Sequence, residues 1–251
     1  MRDKSYFISD IHLGARCISD PKAHECTIVR WLESIESDAL NLYLLGDILD
    51  YWYEYREVVP RGFVRFFGAL ARLADRGVNI VWFKGNHDIW IFDYIPTEIG
   101  VTVVDGAFDT VIDGKRFFME HGDGVGETRA SYRRMRAIFR NRTCQKIFSA
   151  IHPRWTVPFA HKWSSHSRAT TTDTLINLPD DHKLVTFAKN YEQTHPHVDY
   201  FVFGHLHIPV KREILPNSQL IVLGDAFTNM TYGYFDGKDF FIDKIEAKIA
   251  N

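Results

Sequence analysis

The chain has 251 residues, of which 45% are hydrophobic and 25% are charged, and its formal net charge is −2. This balance is typical of a folded globular protein with a core of its own, and it excludes disordered, collagen-like and disulfide-stapled chains. The three cysteines (Cys17, Cys26 and Cys144) have no metal-like spacing, which favours a reducing compartment. Since no apolar run approaches the ~18–20 residues of a membrane-spanning helix, we expect a cytoplasmic protein.

The first hundred residues alternate between short apolar runs and longer amphipathic stretches. We predict strands at residues 5–9, 41–45 and 79–83, and helices at residues 23–37 and 61–76. Because strand and helix alternate, the strands should form a parallel sheet joined by right-handed crossovers.

After residue 100 the pattern changes to short strands interrupted by helices. One helical region runs from about 128 to 168 with breaks expected near Pro153 and Pro158, and a further helix is predicted at residues 180–194. The pair Asp113-Gly114 marks a hairpin turn. The predicted strands lie at residues 101–104, 108–112, 116–120, 200–203, 210–215, 219–223, 230–235 and 240–244.

These elements predict one domain over residues 1–251 with an α/β (four-layer α+β) architecture, in which two mixed β-sheets pack as a sandwich flanked by helices. A helical lid insertion at about 124–170 interrupts it. The insertion holds ten lysines and arginines against a single acid, Glu127, so it carries +9 within an otherwise acidic chain. Such a block indicates either an anionic partner or only a solvated helix face.

Five short polar motifs each follow directly after a predicted apolar strand. They are Asp10-Ile11-His12, Gly46-Asp47, Gly85-Asn86-His87-Asp88, His121-Gly122-Asp123 and Gly204-His205-Leu206-His207. The carboxyl ends of strands are where open α/β sheets bind ligands. We expect Asp10 and His12 to lie on extended chain with both side chains on one side, and His205 and His207 to do the same.

Together these motifs supply ligands for metal ions. The set comprises two carboxylates, one amide oxygen and four imidazoles, from Asp10, Asp47, Asn86, His12, His121, His205 and His207. Mixed oxygen and nitrogen ligands without a thiolate suit Mn²⁺, Fe or Zn²⁺ better than Ca²⁺ or Mg²⁺. Seven ligands exceed the need of one such ion and predict two ions that share a carboxylate, for which Asp47 is the natural bridge. Each motif alone is more often a turn or a core histidine, but five at strand ends are hard to explain by chance.

The order of these motifs resembles that of the calcineurin-like metallophosphoesterase superfamily over essentially the whole chain. The resemblance implies a β-sandwich flanked by helices, a two-metal site and the hydrolysis of phosphoesters or pyrophosphates. Carried over position by position, it implies that one ion is held by Asp10, His12, Asp47 and His207, and the other by Asp47, Asn86, His121 and His205.

A closer resemblance is to the UDP-2,3-diacylglucosamine hydrolases of lipid A biosynthesis. It rests on residues 8–13, 46–52 and 204–209 and on the basic insertion after His121-Gly122-Asp123. It implies a nucleotide-linked glycolipid substrate, cleaved to UMP and the acylated sugar 1-phosphate. The implied substrate contacts are Asn86, His87, Tyr132, Ser167, Arg168 and His205. That family usually has arginine after the metal-binding asparagine, where this chain has His87.

His87 is the predicted proton donor rather than a metal ligand. We expect it beside the ions, held by Asp88 or Asp50, where it stabilises or protonates the leaving oxygen. Asp47, His87 and Asp88 are therefore the predicted catalytic residues.

The insertion is the candidate for substrate choice. Its arginines are expected to bind further phosphate oxygens, and its apolar residues either line a groove for acyl chains or form the core of the helix pair. These apolar residues are Ile138, Phe139, Ile147, Phe148, Ile151, Trp155, Val157 and Phe159. Basic and apolar residues on one segment also suit a helix that rests on an anionic membrane. We therefore expect a peripheral protein at the cytoplasmic face of the inner membrane.

Two other functions fit parts of the pattern. The same chemistry on a nucleotide, phosphoprotein or nucleic acid would use the basic insertion to bind phosphates, although the acidic body and the apolar insertion argue against nucleic acid. A non-catalytic scaffold would have lost ligands, whereas all seven positions are filled. Mn²⁺ is the expected metal, with Fe or Zn²⁺ as alternatives.

Overall fold

A computed structural model describes residues 2–160 and 178–246, in which strands and helices alternate before residue 100 and strands dominate after it. In chain order the elements are β1 (Lys4–Ile8), α1 (Pro21–Ile35), β2 (Ala39–Leu44), α2 (Val64–Asp75), β3 (Asn79–Phe83), α3 (Tyr94–Ile99), β4 (Thr102–Val104), β5 (Phe108–Ile112), β6 (Lys115–Glu120), α4 (Ala130–Arg140), α5 (Arg142–Ser149), α6 (Lys183–Glu192), β7 (Tyr200–Phe203), β8 (Pro209–Leu215), β9 (Ser218–Leu223), β10 (Thr231–Phe235) and β11 (Phe240–Lys244).

The strands form two mixed sheets. The first has the order β11-β10-β1-β2-β3-β4, in which β1 to β4 are parallel and β10 and β11 are antiparallel to their neighbours. The second has the order β5-β6-β7-β9-β8, in which β6, β7 and β9 are parallel. The predicted parallel start of the chain and the α/β sandwich of two mixed sheets are confirmed.

Each central strand is apolar on both faces because each face packs against a different layer. Along β1, Tyr6 and Ile8 belong to the apolar cluster that includes Trp31 of α1. Phe7, between them, faces the second sheet, where its ring lies 5.8 Å from that of Phe117. Burial on both faces explains why these strands are near-continuous apolar runs in the sequence.

The outer face of the second sheet is covered by α6. Phe118, Phe201 and Phe203 of that sheet share a buried cluster with Leu184 and Val185 of the helix. The layers therefore run helices, sheet, sheet, helix, and the strand ends that carry the polar motifs meet at one end of the two sheets.

The short helix α3 was not predicted, because its N-terminal cap comes from a distant residue. Asp93 precedes the helix without capping it through its side chain. Instead the Glu54 carboxylate, which is 4% exposed, accepts backbone N–H bonds from Phe92 through Ile95. These are the donors that a helix start leaves unsatisfied.

The helical region after β6 breaks before Pro153, as expected, but also at Asn141, where no break was predicted. The structure interrupts it at Asn141, whose side chain accepts the N–H groups of Thr143 and Cys144 and so caps α5. Pro153 begins a further helical stretch over residues 153–160, but Pro158 lies inside that stretch, so the break predicted there is wrong. We refer to α4, α5 and residues 153–160 as the helical segment. Within residues 2–160 and 178–246, no helix has the length and apolarity needed to cross a membrane.

Candidate metal centre

The five polar motifs converge at one end of the sandwich. Asp10, Asp47 and Asn86 follow β1, β2 and β3 of the first sheet, and His121 and His205 follow β6 and β7 of the second. Three groups have ligand atoms within 4.8 Å of one another: Asp10, His12 and His207; Asp47, His121 and His205; and His12, Asp47 and His87. The carboxyl ends of parallel strands from both sheets therefore form a single cluster.

The backbone of five residues in this cluster is left-handed. Asp10, His12, Asp47, His205 and His207 all have positive φ, between 49° and 68°. Residues other than glycine rarely adopt this conformation, and such strain collects at functional sites. The expectation that Asp10 and His12, and likewise His205 and His207, lie on extended chain is therefore wrong. Left-handed turns after the strands, and not strand alternation, place these side chains in the cluster, with His205 and His207 in different groups of ligand atoms.

Each carboxylate has one oxygen held by the backbone and one directed at imidazoles. The backbone N–H of His205 donates to Asp10 Oδ2 and that of His87 donates to Asp47 Oδ1, both at 2.8 Å. Asp47 Oδ2 lies 3.4 Å from His121 Nε2, and Asp10 Oδ1 is buried without a hydrogen bond within the described residues. The backbone thus orients each carboxylate so that its second oxygen faces an imidazole.

Two glycines lack the Cβ atom that would collide with these carboxylates. A Cβ at Gly85 would overlap the carboxylate and backbone of Asp47, and one at Gly204 would lie 2.7 Å from Asp10 Oδ2. Neither glycine has a positive φ, so close approach and not backbone freedom requires them.

The first group of ligand atoms is compact. Asp10 Oδ1 lies 3.1 Å from His207 Nε2 and 3.8 Å from His12 Nε2, and the two imidazole nitrogens are 3.3 Å apart. Asp47 Oδ2 lies 3.8 Å from His12 Nε2. Asp47 therefore borders this group as well as the second one.

The second group has similar spacing. His121 Nε2 lies 3.3 Å from Asn86 Oδ1 as well as 3.4 Å from Asp47 Oδ2, and His205 completes the group. Ligands at about 2.1 Å from an ion are about 3.0 Å apart along an octahedral edge and about 3.4 Å apart along a tetrahedral one. The observed spacings fit two ions on either side of Asp47.

The charges of the cluster also fit cations. Asp10 and Asp47 are 0% and 1% exposed, and their ion-pair partners within residues 2–160 and 178–246 are imidazoles only. Burial acts to raise the pKa of Asp47, yet the imidazoles of His121 and His87 lower that pKa well below its usual range. Burial lowers the pKa of His205 to about 4, so its ring is neutral at pH 7 and offers a lone pair. Buried carboxylates of this kind need positive charge beside them.

His87 lies beside the cluster, but Asp88 does not hold it. His87 Nδ1 is 3.2 Å from the Asp50 carbonyl oxygen, and its Nε2 is 3.9 Å from Asp47 Oδ2. The Asp88 carboxylate is fully buried and accepts N–H bonds from Asp47, Ile48, Leu49, Gly85 and the Trp82 indole. Asp88 therefore orients the loop that carries Asp47, which corrects the expectation that it acts through His87.

Asp123 connects the cluster to α4. Its carboxylate is 2% exposed and accepts hydrogen bonds from Arg136 Nε at 2.9 Å and from the Tyr132 hydroxyl at 3.3 Å. Tyr132 and Arg136 are four residues apart and so share one face of the helix. The sequence placed Asp123 in a motif but gave it no role, because its partners lie on a separate element.

A cavity of about 320 Å³ lies where α4 faces the cluster. Asn86, His87, His205 and Tyr132, four of the predicted substrate contacts, line it. The other two, Ser167 and Arg168, lie outside the described residues. Its apolar lining combines the sandwich and the helical segment: Ile89, Trp90, Met135, Ile138, Phe139, Phe148 and Phe159. The cavity is therefore polar at the cluster and apolar beyond it.

The apolar residues singled out in the insertion divide into two sets. Those lining the cavity are Ile138, Phe139, Phe148 and Phe159. Those outside it are Ile147, Ile151, Trp155 and Val157. Neither α4 nor α5 has a buried residue, so the interpretation as the core of a helix pair is wrong. Ile147 and Trp155, which are 63% and 68% exposed, face solvent.

Comparison with known proteins agrees with this geometry. The calcineurin-like phosphoesterase family matches residues 4–209. The chain belongs to this family. A UDP-2,3-diacylglucosamine hydrolase of Porphyromonas gingivalis is 39% identical to this phosphoesterase, over 98% of this chain and 99% of that protein. Proteins of the same name from Ralstonia nicotianae and Escherichia coli are 29% and 26% identical, over 65% and 87% of this chain and 60% and 89% of theirs.

Among solved structures, the phosphoesterase Yfce of Escherichia coli aligns with a TM-score of 0.47 and 16% identity, over 98% of this chain and 97% of that one. The family and the clustered ligands together make this phosphoesterase a metal-dependent hydrolase.

One further Gly-Asp pair of the phosphoesterase was missed in the sequence. Gly224-Asp225 follows β9 just as Gly46-Asp47 follows β2, so the signal was present. Asp225 is 2% exposed and accepts three backbone N–H bonds from the loop after it. In that loop the Asn229 amide donates to the His207 carbonyl at 2.7 Å. Asp225 thus supports His207, a candidate ligand, through the Asn229 amide, which also donates to the Asp225 carboxylate.

Proposed function

We propose that the protein hydrolyses the pyrophosphate bond of UDP-2,3-diacylglucosamine, releasing UMP and 2,3-diacylglucosamine 1-phosphate. The observation that carries this proposal is the cavity, which joins a cluster suited to phosphate chemistry to an apolar lining suited to acyl chains. The relatives named UDP-2,3-diacylglucosamine hydrolase, one of them similar over nearly the full chain, support it.

The proposed ligand sets follow the two groups of atoms. One ion is assigned to Asp10, His12, Asp47 and His207, and the other to Asp47, Asn86, His121 and His205. Two divalent cations there would act as Lewis acids toward the phosphate oxygens and toward the attacking water. Mn²⁺ is our choice because the ligands mix oxygen and imidazole nitrogen without a thiolate.

The chain's own groups orient and protonate the reactants. The backbone N–H bonds to Asp10 and Asp47 hold one oxygen of each acid, so the other keeps a fixed direction. His87, 9% exposed at its side chain and beside Asp47, is assigned the proton for the leaving oxygen. Tyr132, which lines the cavity, is assigned to the sugar phosphate, with Ser167 and Arg168 as further contacts.

We assign the acyl chains to the helical segment. It belongs to the insertion at about 124–170 in what we take to be a single domain. Phe139 and Phe148 lie on either side of Trp90, with ring centroids 5.8 and 4.8 Å from it. Such an aromatic wall excludes water and accepts hydrocarbon without demanding hydrogen bonds.

We also assign the segment a membrane-facing surface. Ile147, Ile151 and Trp155 are exposed next to the exposed Lys146 and Arg154, a combination that inserts apolar side chains beneath anionic headgroups. The protein would then act at the cytoplasmic face of the inner membrane, where its substrate lies. Flotation with anionic liposomes should fall for Trp155→Ser/Ile151→Ser and stay unchanged for the distant exposed pair Val64→Ser/Val111→Ser. Equal flotation of both variants would remove the membrane assignment.

The substrate is tested by incubating the Mn²⁺-loaded protein with UDP-2,3-diacylglucosamine in detergent micelles and measuring UMP. UDP-N-acetylglucosamine, which lacks the acyl chains, is the matched control substrate. Rapid UMP release from the glycolipid alone is expected. Hydrolysis of a simple phosphodiester without UMP release from the glycolipid would keep the chemistry and discard this substrate in favour of a nucleotide or phosphoprotein.

A further inference from the structure

Three arginines line the cavity, Arg136 and Arg140 of α4 and Arg129 directly before it, and two of the three contact a carboxylate through two nitrogens. Arg129 contacts Glu127 through Nε and Nη2, at 2.9 and 2.8 Å. Arg136 contacts Asp123 through Nε at 2.9 Å, with a second nitrogen 3.5 Å from the other oxygen of that carboxylate. Each of these guanidinium groups is therefore held by a carboxylate through two of its nitrogens.

Arg140 differs because only one of its nitrogens is bound to a carboxylate. Its Nε donates to Asp105 Oδ1 at 3.1 Å, while Lys84 Nζ lies 3.9 Å from Asp105 Oδ2. Two cations thus meet at one acid. Burial lowers the pKa of Lys84, and the Arg140 charge acts in the same direction while the Asp105 charge opposes it.

The Arg140 guanidinium also has an unused donor. Its Nη2 is buried, and no acceptor lies within hydrogen-bond distance of it in residues 2–160 and 178–246. A buried charged donor without a partner is costly, and native structures hold few of them. The side chain as a whole is 20% exposed and lines the cavity, so a small adjustment of its planar head presents two nitrogens to a ligand.

Arg140 lies on the same helix face as the other polar contacts. It follows Tyr132 by eight residues and Arg136 by four, and helical side chains lean back toward the N-terminus, here toward the cluster. Its neighbour Phe139 accepts the Trp90 indole N–H at 2.9 Å, and Trp90 is three residues after His87. Arg140 therefore lines the cavity further along α4 than Tyr132 and Arg136, the two residues that contact Asp123.

We propose that Arg140 binds the phosphate that leaves with the sugar and so selects diphosphate substrates over simple phosphodiesters. This inference rests on the proposed function. A diphosphate brings two phosphate groups, of which only the attacked one lies at the ion ligands. The second needs a cation of its own, and a guanidinium meets phosphate oxygens with two parallel N–H bonds. Arg140 lines the cavity and has a guanidinium nitrogen without a partner among the described residues, as this role requires.

The test compares two substrates in Arg140→Gln. Hydrolysis of UDP-2,3-diacylglucosamine should lose about 10- to 100-fold in kcat/KM, mostly through KM, the range of one hydrogen-bonded charge. Hydrolysis of bis(p-nitrophenyl) phosphate, which has a single phosphate, should stay within about twofold. Arg134→Gln, an exposed arginine of the same helix, is the matched charge control and should change neither. An equal loss on both substrates would overturn the proposal.

Asp105→Asn separates ligand binding from a structural ion pair. If Arg140 serves the substrate, freeing it from Asp105 should leave KM for the glycolipid unchanged or lower. If the pair only anchors α4, Asp105→Asn should be as damaging as Arg140→Gln, which contradicts the proposal.

A binding measurement keeps the inference distinct from the proposed function. Calorimetric titration with N-acetylglucosamine 1-phosphate, which has the leaving phosphate but no acyl chains, should give an affinity that Arg140→Gln lowers by about tenfold. If the wild type does not hydrolyse the glycolipid, the proposed function fails while this titration still tests Arg140. Unchanged sugar phosphate affinity in Arg140→Gln, with impaired glycolipid hydrolysis, would assign Arg140 to the acyl chains and overturn the proposal.

Discussion

The two walls of the cavity are built in different ways. The cluster side is part of the sandwich core: Asp10, His12, Asp47 and His121 are at most 1% exposed, and each follows a buried strand. The opposite wall is the helical segment, in which α4 and α5 bury no residue. The metal-ligand candidates are thus on the well-packed part of the protein, and the surface proposed to meet the acyl chains is on the weakly packed part.

Few polar contacts join the two walls. The Tyr53 hydroxyl donates to the Gln145 carbonyl at 2.7 Å, and the Tyr55 hydroxyl lies 3.0 Å from Thr156 Oγ1. Together with the Trp90 indole bond and the arginine pairs of α4 they attach the helical segment to the sandwich. A hydrogen bond of this kind contributes about 0.5–1.5 kcal/mol, so changes at the segment should be small and substrate-dependent while changes at the cluster should be large and general.

Asp47→Asn should have the largest effect. Removing the charge of the acid that borders both groups of ligands should lower the content of bound metal. It should also reduce turnover at least ~1000-fold on the glycolipid and on bis(p-nitrophenyl) phosphate, since the ions supply several kcal/mol. Metal analysis and kinetics measure this, with the exposed-surface variant Asp109→Asn as control. If the variant kept two ions and normal turnover, the expectation that changes at the cluster have the largest effects would be contradicted.

His87→Ala should come next. If His87 supplies the leaving-group proton, kcat should fall ~100- to 10,000-fold while the metal content stays that of the wild type. A loss of metal in this variant would instead assign His87 to the third group of ligand atoms, with His12 and Asp47.

Tyr53→Phe tests the attachment of the helical segment. Losing the hydroxyl bond to Gln145 should reduce kcat/KM on the glycolipid by about 3- to 10-fold and leave bis(p-nitrophenyl) phosphate unaffected. Tyr191→Phe, which removes a hydroxyl bound to Asp109 on the far side of the second sheet, is the matched control. Equal effects on both substrates would mean that the contact between Tyr53 and the helical segment also maintains the metal-ligand cluster.

Glu127→Gln should give the smallest effect, and one that depends on pH. The hydrogen bonds from Arg129 lower the pKa of Glu127 from its ordinary value of 4.5 to about 2. Because the folded pKa is depressed, the stabilisation is complete above pH 4.5 and is lost as the pH falls toward 2. The difference in Tm between wild type and variant should therefore be largest near pH 7 and shrink below pH 4.5. A difference that grows on acidification would contradict this assignment.

Much of the sandwich was predictable because its signals are local. The strands β3, β5, β7 and β11 begin and end at the predicted residues. A short run of apolar and β-branched residues can be recognised as a strand without knowing its distant partners. The helix α3 was not predictable, because Glu54 caps it from 40 residues earlier. The break at Asn141 had a local signal, a capping residue type, that the proline positions obscured.

The sequence by itself determined which side chains would meet: polar residues placed directly after buried parallel strands must converge at one sheet edge. Only the tertiary structure decided how they meet. The left-handed turns at Asp10 and Asp47 and the N–H bonds that select one oxygen of each acid depend on loops packed from other strands. The same holds for Arg140, whose shared carboxylate comes from the end of β4. Strand period is a local property of the chain, whereas the pairing of charges across loops and helices is a property of the folded whole.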